Sequence, residues 1–155
     1  MATELTLQEL ADAPLEDIEN IIRPIGTFKK KSIFIKEIAK RLITECNGIV
    51  PNNRDYLESL PGVGRKTTNV VLSNLFNEPA IAVDTHVERV SKRLGLVSPY
   101  DDVIIVEEKL MKLFPKEKWS RLHHQLVLFG RYTCKSQKPE CENCPFNPTC
   151  KHKKI

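Results

Sequence analysis

No apolar run in this 155-residue chain approaches the length needed to cross a bilayer. Its first ten residues, Met-Ala-Thr-Glu-Leu-Thr-Leu-Gln-Glu-Leu, lack the basic start and apolar stretch of a secretory signal. A soluble, intracellular protein is therefore expected. No segment alternates apolar and polar residues between hairpin-type turns, which points away from a sheet protein. Internal repeats and low-complexity tracts are absent as well. At 41% hydrophobic residues the composition fits neither collagen nor a disordered tail, but one globular domain or two small sub-domains. The chain also lacks an even set of cysteines. Four of the five crowd into residues 134–150, which argues against a secreted disulfide framework and for metal ligation in a reducing compartment.

Charge is present but uneven. The net charge of +4 is carried entirely by residues 131–155, where Arg131, Lys135, Lys138, Lys151, Lys153 and Lys154 face only Glu140 and Glu142. Such local asymmetry suits a surface that meets a polyanion. A second basic stretch runs from Arg23 to Arg41.

Helical periodicity dominates, and an all-α fold is expected. From Lys29 to Cys46 the residues Ile35, Ile38, Ala39, Leu42, Ile43 and Cys46 recur at helical spacing before Asn47-Gly48 stops the run. Further helices are predicted over Thr6 to Ala13, Leu15 to Ile22, Arg54 to Leu60 behind an Asn53 cap, and Arg65 to Leu75. Asn77-Glu78-Pro79 breaks the pattern and sets the expected sub-domain boundary, giving residues 1–78 and 79–155. Beyond it, Asp84 reads as the cap of a helix ending at Leu94-Gly95, followed by helices over Asp102 to Leu113 and Lys116 to Gly130. After Gly130 the periodicity stops. The remaining residues hold three prolines and too few apolar groups to order themselves by burial, so something else must hold them.

Cys134, Cys141, Cys144 and Cys150 supply that something. Their spacing is C-x6-C-x2-C-x5-C. Zinc sites usually come as two C-x2-C pairs, whereas only the middle pair here has that spacing. A cubane cluster offers one ligand per iron and tolerates uneven spacing, so an iron-sulfur cluster is favoured over zinc or unligated thiols. Cys46, on an apolar helix face, reads as a core thiol.

Leu60-Pro61-Gly62-Val63-Gly64-Arg65-Lys66 is a two-glycine turn between helices. Gly62, Val63, Gly64 and Arg65 can present free N–H groups to a phosphate at the start of the following helix; an ordinary helical corner is the plain alternative. Lys66 lies in the first turn of that helix, where the dipole and neighbouring Arg65 both disfavour a positive charge and should depress its pKa. It can serve as an amine nucleophile or simply as a solvated phosphate contact. Asp84 can cap its helix, and across a cleft between sub-domains it could also form an acid-base pair with Lys66.

Together, the hairpin Leu60 to Lys66, Val83-Asp84-Thr85-His86, His123-His124, and Gly130-Arg131-Tyr132-Thr133-Cys134 with its three following cysteines resemble the endonuclease III family of helix-hairpin-helix DNA glycosylases. The resemblance covers nearly the whole chain in one order. It implies two helical sub-domains with a helix-hairpin-helix motif and a C-terminal [4Fe-4S] cluster loop. The implied partner is double-stranded DNA carrying a damaged base or abasic site, bound across the groove between the sub-domains by a monomer that is cytoplasmic, and nucleoid-associated if prokaryotic. Lys66 matches the family nucleophile, which displaces an oxidised pyrimidine and cleaves the strand by β-elimination through a Schiff base, and Asp84 matches the carboxylate that assists. The hairpin residues with Lys135 and Lys138 would contact DNA, and the four cysteines would hold the cluster. Family members carry helices before the point where this chain begins, including a segment with a glutamine that helps fill the gap left by the flipped nucleotide. No equivalent is found here, so the chain reads as N-terminally incomplete.

Three other readings follow. A lysine at position 66 argues against the adenine glycosylase branch, expected to have a small hydroxyl residue there, and against the thymine-mismatch branch, which tends to place tyrosine. A non-catalytic DNA-binding or redox-sensing iron-sulfur module would use the same hairpin and basic loop without chemistry.

Overall fold

A computed structural model describes residues 6–152; Lys153 and Lys154 of the basic C-terminal surplus lie outside the described residues. Among the described residues there is no strand, and no helix is long and apolar enough to cross a membrane. The chain divides into two compact units, Met1–Gly64 and Arg65–Ile155.

The first unit is built on α3 (Phe28–Cys46), against which α1 (Leu7–Asp12) and α2 (Leu15–Ile22) pack. A capping box starts α1: the Thr6 hydroxyl accepts from Glu9 N–H at 3.2 Å, and the Glu9 carboxylate accepts from Thr6 N–H at 2.7 Å. Pro14 then ends one helix and opens the next, since it cannot donate to the preceding turn. Ala39 and Leu42 on α3 join Ala11, Ile18, Leu57 and Leu60 in the buried set of this unit. Asn47 and Gly48, both left-handed, stop α3 where the Asn-Gly signal placed its end. The short α4 (Arg54–Ser59) starts on Asn53, whose side chain accepts from Tyr56 N–H at 2.9 Å. Arg41 of α3 donates to the Ser59 carbonyl at 2.9 Å and so fixes the end of α4 from which the hairpin departs.

The second unit contains α5 (Arg65–Phe76), α6 (Thr85–Leu94), α7 (Val103–Leu113) and α8 (Trp119–Tyr132). Its core joins Ile81, Val83, Val87, Val90, Val97, Val106, Leu110 and Leu126. Three polar ties bind α5 to the rest: Arg65 to Glu107, Asn69 to the Ile81 carbonyl at 3.1 Å, and Ser73 to Ser120 at 2.7 Å. These place α5 with the C-terminal helices, so the break at Asn77-Glu78-Pro79 falls inside this unit.

A single helix over Lys116 to Gly130 is not what forms. Lys116–Lys118 make a 3₁₀ turn behind Pro115, closed by Lys118 N–H to the Pro115 carbonyl at 2.9 Å, and α8 proper begins at Trp119. Those residues carry no apolar side chain to bury, so nothing favours the wider helical turn. At its other end α8 runs two residues past Gly130, because that glycine is used for close approach rather than termination. A β-carbon there would lie 2.9 Å from His86 Cβ and 3.1 Å from Val90 Cγ2, both on α6. Helix propensity favours Gly130→Ala by about 1 kcal/mol, whereas overpacking costs about 1–3 kcal/mol. With backbone-anchored neighbours the second effect wins, and denaturant unfolding of Gly130→Ala should register a net loss of up to about 2 kcal/mol. Wild-type stability in this variant would show that α6 and α8 are not packed this closely.

Candidate active site and cysteine loop

The hairpin comprises residues 60–64, between the end of α4 and the start of α5. Gly62 has φ +74, and a β-carbon on it would run into the Phe34 ring, so two independent constraints require glycine there. Gly64 has nothing within 4 Å of its missing side chain. Its backbone is open to a close-approaching group, as a phosphate-docking turn requires.

Arg65 and Lys66 open α5, and the two cations separate in role. Arg65 grips Glu107 of α7 through Nε at 3.0 Å and Nη2 at 2.9 Å; the carboxylate is 6% exposed and the guanidinium side chain 49%. The pair therefore compensates the charge beside Lys66 and satisfies a buried carboxylate with a two-pronged donor. Lys66 is exposed, and no hydrogen bond or ion pair among the described residues ties down its ammonium.

Asp84 caps α6, accepting from His86 N–H at 2.9 Å and Val87 N–H at 2.8 Å. Both bonds end on Oδ1. Oδ2 has no hydrogen bond among the described residues, so capping and a second role are compatible in one carboxylate. Lys66 and Asp84 belong to the same compact unit. Both act electrostatically on His123 of α8, a half-buried imidazole that sequence reasoning noted only as part of a motif. Burial, then His124, pushes the pKa of His123 below its ordinary 6.5, with Asp84 and the Ala82 backbone opposing and Lys66 assisting.

The four cysteines line one small cavity with Leu94, Phe129 and Pro139. Among the described residues, no group of three or more His, Cys, Asp or Glu side chains converges closely enough to hold a single metal ion. Four thiols lining one shared space are a donor set that fits an iron-sulfur cluster, which takes one thiolate per iron. Successive tight turns shape the loop, including Cys144 N–H to the Cys141 carbonyl at 3.2 Å and Cys150 N–H to the Phe146 carbonyl at 2.8 Å.

Two arginines of α6 fasten this loop, and nothing in the sequence reading singled them out. Arg89 donates to the Gly130 carbonyl at 2.8 Å, to the Cys134 carbonyl at 3.2 Å and to the Thr85 carbonyl at 3.3 Å, and meets His86 Nδ1 at 3.2 Å. Arg93 donates to the Lys135 carbonyl at 2.7 Å, the Ser136 carbonyl at 3.2 Å and Cys134 Sγ at 3.5 Å. Their spacing puts both on one helix face, which is the only signal a sequence could offer. Of the expected phosphate contacts in the loop, Lys135 pairs with Glu140 at 2.6 Å, while Lys138 is exposed with a left-handed backbone.

Residues 1–116 match the family model described as HhH-GPD superfamily base excision DNA repair protein. The chain belongs to the HhH-GPD superfamily. Within this superfamily it is 52% identical over 138 residues to Endonuclease III of Bacillus subtilis (strain 168), covering 89% of this chain and 63% of that protein. The chain thus spans under two thirds of that relative's length. A solved structure of a trapped Endonuclease III–DNA covalent intermediate superposes with a TM-score of 0.89 at 52% identity, covering 94% of this chain and 68% of that one. A more distant likeness is a thermostable thymine-DNA glycosylase, with a TM-score of 0.81 at 28% identity over 94% of this chain and 69% of that one.

The His123 environment has a measurable consequence. Its folded pKa is lowered, so the unfolded chain binds a proton more readily below about 6.5. The associated stability is complete above that pH and is lost as pH falls from 6.5 through the lowered folded value. Urea unfolding of His123→Gln between pH 8 and pH 5 should therefore show a shallower acid loss than wild type. Parallel pH profiles would mean that His123 titrates as it does in the unfolded chain.

Proposed function

We propose that this chain is a bifunctional DNA glycosylase and abasic-site lyase acting on oxidised pyrimidines. The observation that carries the reading is the state of Lys66 and Asp84: an exposed lysine at the first turn of α5, behind an open glycine turn, in one unit with a carboxylate that caps through Oδ1 and keeps Oδ2 unbonded. The likeness to a protein trapped as a covalent DNA intermediate supports it.

The chemistry follows from those groups. N–H groups of Gly62 and Gly64 would take a phosphate, Val63 N–H being used by the Leu60 carbonyl at 3.1 Å, and Lys138 of the cysteine loop would make a phosphate contact of its own. The damaged nucleotide leaves the stack, which favours lesions that pair poorly. Lys66 Nζ then attacks C1′ through its nitrogen lone pair; the N–C1′ bond forms as the glycosidic bond breaks, the glycosidic electron pair leaves with the base, which takes up a proton, and the attacking nitrogen loses one. Asp84 Oδ2 stabilises positive charge developing on the sugar and manages protons there. The sugar ring opens to a Schiff base, C2′ loses a proton, and the C3′–O bond breaks with its electrons leaving on the phosphate. Arg65, held by Glu107, fixes the start of α5 and offers only its outer edge to DNA.

The four cysteines would hold a [4Fe-4S] cluster, whose thiolate crosslinks supply the order that this proline-rich loop cannot gain from burial. Aerobically stable purified protein should be brown, with about four irons per chain. Cys141→Ser should be colourless and prone to aggregate, and stoichiometric zinc without iron in anaerobic preparations would refute the cluster.

The decisive experiment for the activity is borohydride trapping on a duplex bearing one abasic site. Wild type should form a covalent adduct, and Lys66→Gln should form none while retaining phosphate-dependent binding. Absence of a wild-type adduct refutes the lyase reading; undiminished trapping in Lys66→Gln refutes the nucleophile.

A further inference from the structure

The segment that delivers Asp84 is neither helix nor strand, yet Ile81, Ala82 and Val83 are 0, 2 and 4% exposed. Buried irregular backbone must find hydrogen-bond partners outside a regular ladder. One of these is visible: the Asn69 side-chain amide, itself 2% exposed, donates to the Ile81 carbonyl at 3.1 Å. Asn69 sits three residues after Lys66 on α5, and Ile81 sits three residues before Asp84. A single short bridge therefore joins the helix that carries the lysine to the segment that carries the carboxylate, within one compact unit.

We propose that Asn69 is a positioning residue that sets where the Asp84 carboxylate stands relative to Lys66, a role that rests on the glycosylase reading of those two residues. The geometry favours this over a purely structural part. A buried asparagine is a poor choice for filling space between helices, because leucine of similar size avoids the cost of burying an amide. What the amide adds is direction. It fixes the Ile81 carbonyl from α5, next to the Ala82 backbone that hydrogen-bonds His123 of α8, so loss of the amide releases the α5 side of a segment whose Ile81 and Val83 make only interchangeable apolar contacts. A shift there passes directly to the α6 cap, since Asp84 follows Val83 and its Oδ1 is tied to His86 and Val87. Lys66 is fixed separately, through Arg65 and Glu107, so loss of the bridge moves one partner and leaves the other.

The test uses the full chain with Asn69→Leu, which keeps size and removes the donor, and Asn69→Ser, which restores a short donor. Base release is followed on a duplex carrying one thymine glycol, and borohydride trapping on a preformed abasic site. In Asn69→Leu base release should fall about 100-fold, the scale expected for a misplaced catalytic group. Trapping, which needs Lys66 and no departing base, should fall far less. Asn69→Ser should recover part of the lost release. Amide hydrogen exchange at His86 and Val87 should accelerate in Asn69→Leu while Val90 and Leu110 keep wild-type protection. A general folding defect would instead lower release and trapping in proportion and accelerate exchange throughout the unit; that result overturns the proposal, as does unchanged exchange at His86 and Val87 with an unchanged release-to-trapping ratio. Should Asn69→Leu fail to fold, the same comparisons on Asn69→Ser decide. If wild type itself neither releases base nor traps, the glycosylase reading falls, and a finding that exchange at the α6 cap is insensitive to Asn69 removes the positioning role independently.

Discussion

Arg89 is the interaction on which the second unit most depends. One guanidinium satisfies carbonyls at Thr85, Gly130 and Cys134 and meets the imidazole of His86. It thereby joins the first turn of α6, the last turn of α8 and the start of the cysteine loop. The Gly130 and Cys134 carbonyls stand where the α8 hydrogen-bond ladder ends or has given out, which is where carbonyls most need outside partners. Gly130 makes the arrangement possible by omitting the β-carbon that would hold the two helices apart. A charged donor shared among neutral acceptors is worth more in this half-buried setting than in water, and its planar fork reaches several acceptors at once.

The same helix carries the two halves of the site at opposite ends. Its N-terminus is capped by Asp84, and its last turns hold Arg93, which grips the loop carbonyls of Lys135 and Ser136 and the sulfur of Cys134. Cations in the final turn also suit the helix dipole. The cysteine loop, with few apolar residues of its own, is thus held by hydrogen bonds from α6.

Much of this was legible in the sequence because it depends on local rules. Asn53 and Asp84 cap helices as their side chains dictate, and Asn47-Gly48 ends α3 through left-handed geometry available to those residue types. The crowded cysteines stood out through spacing alone. What stayed hidden depends on pairings across many residues. Glu107, followed by Glu108 and Lys109, reads as part of a solvated face, yet it is buried and paired with Arg65, 42 positions away. Arg89 and Arg93 likewise look like surface cations until α8 and the loop are laid against them. The sequence break at Asn77-Glu78-Pro79 is a real interruption of helix, but Arg65, Asn69 and Ser73 tie α5 to the elements beyond it. A chain break in secondary structure and a boundary between compact units obey different physics: one follows local backbone preference, the other follows where side chains find partners.

The first turn of α5 carries this distinction into chemistry. Two adjacent cations at a helix N-terminus oppose both the dipole and each other, an arrangement that selection for stability alone would not favour. Glu107 resolves half of the conflict by neutralising Arg65 inside the unit. It forms no ion pair with Lys66, which remains exposed. Were Lys66 only a phosphate contact, position 65 could serve that purpose as well without a buried carboxylate to satisfy. That one cation is secured and the other left unbonded, in a unit where an aspartate spends one oxygen on its helix and keeps the other, is more simply explained by a lysine whose nitrogen must be available to form a bond.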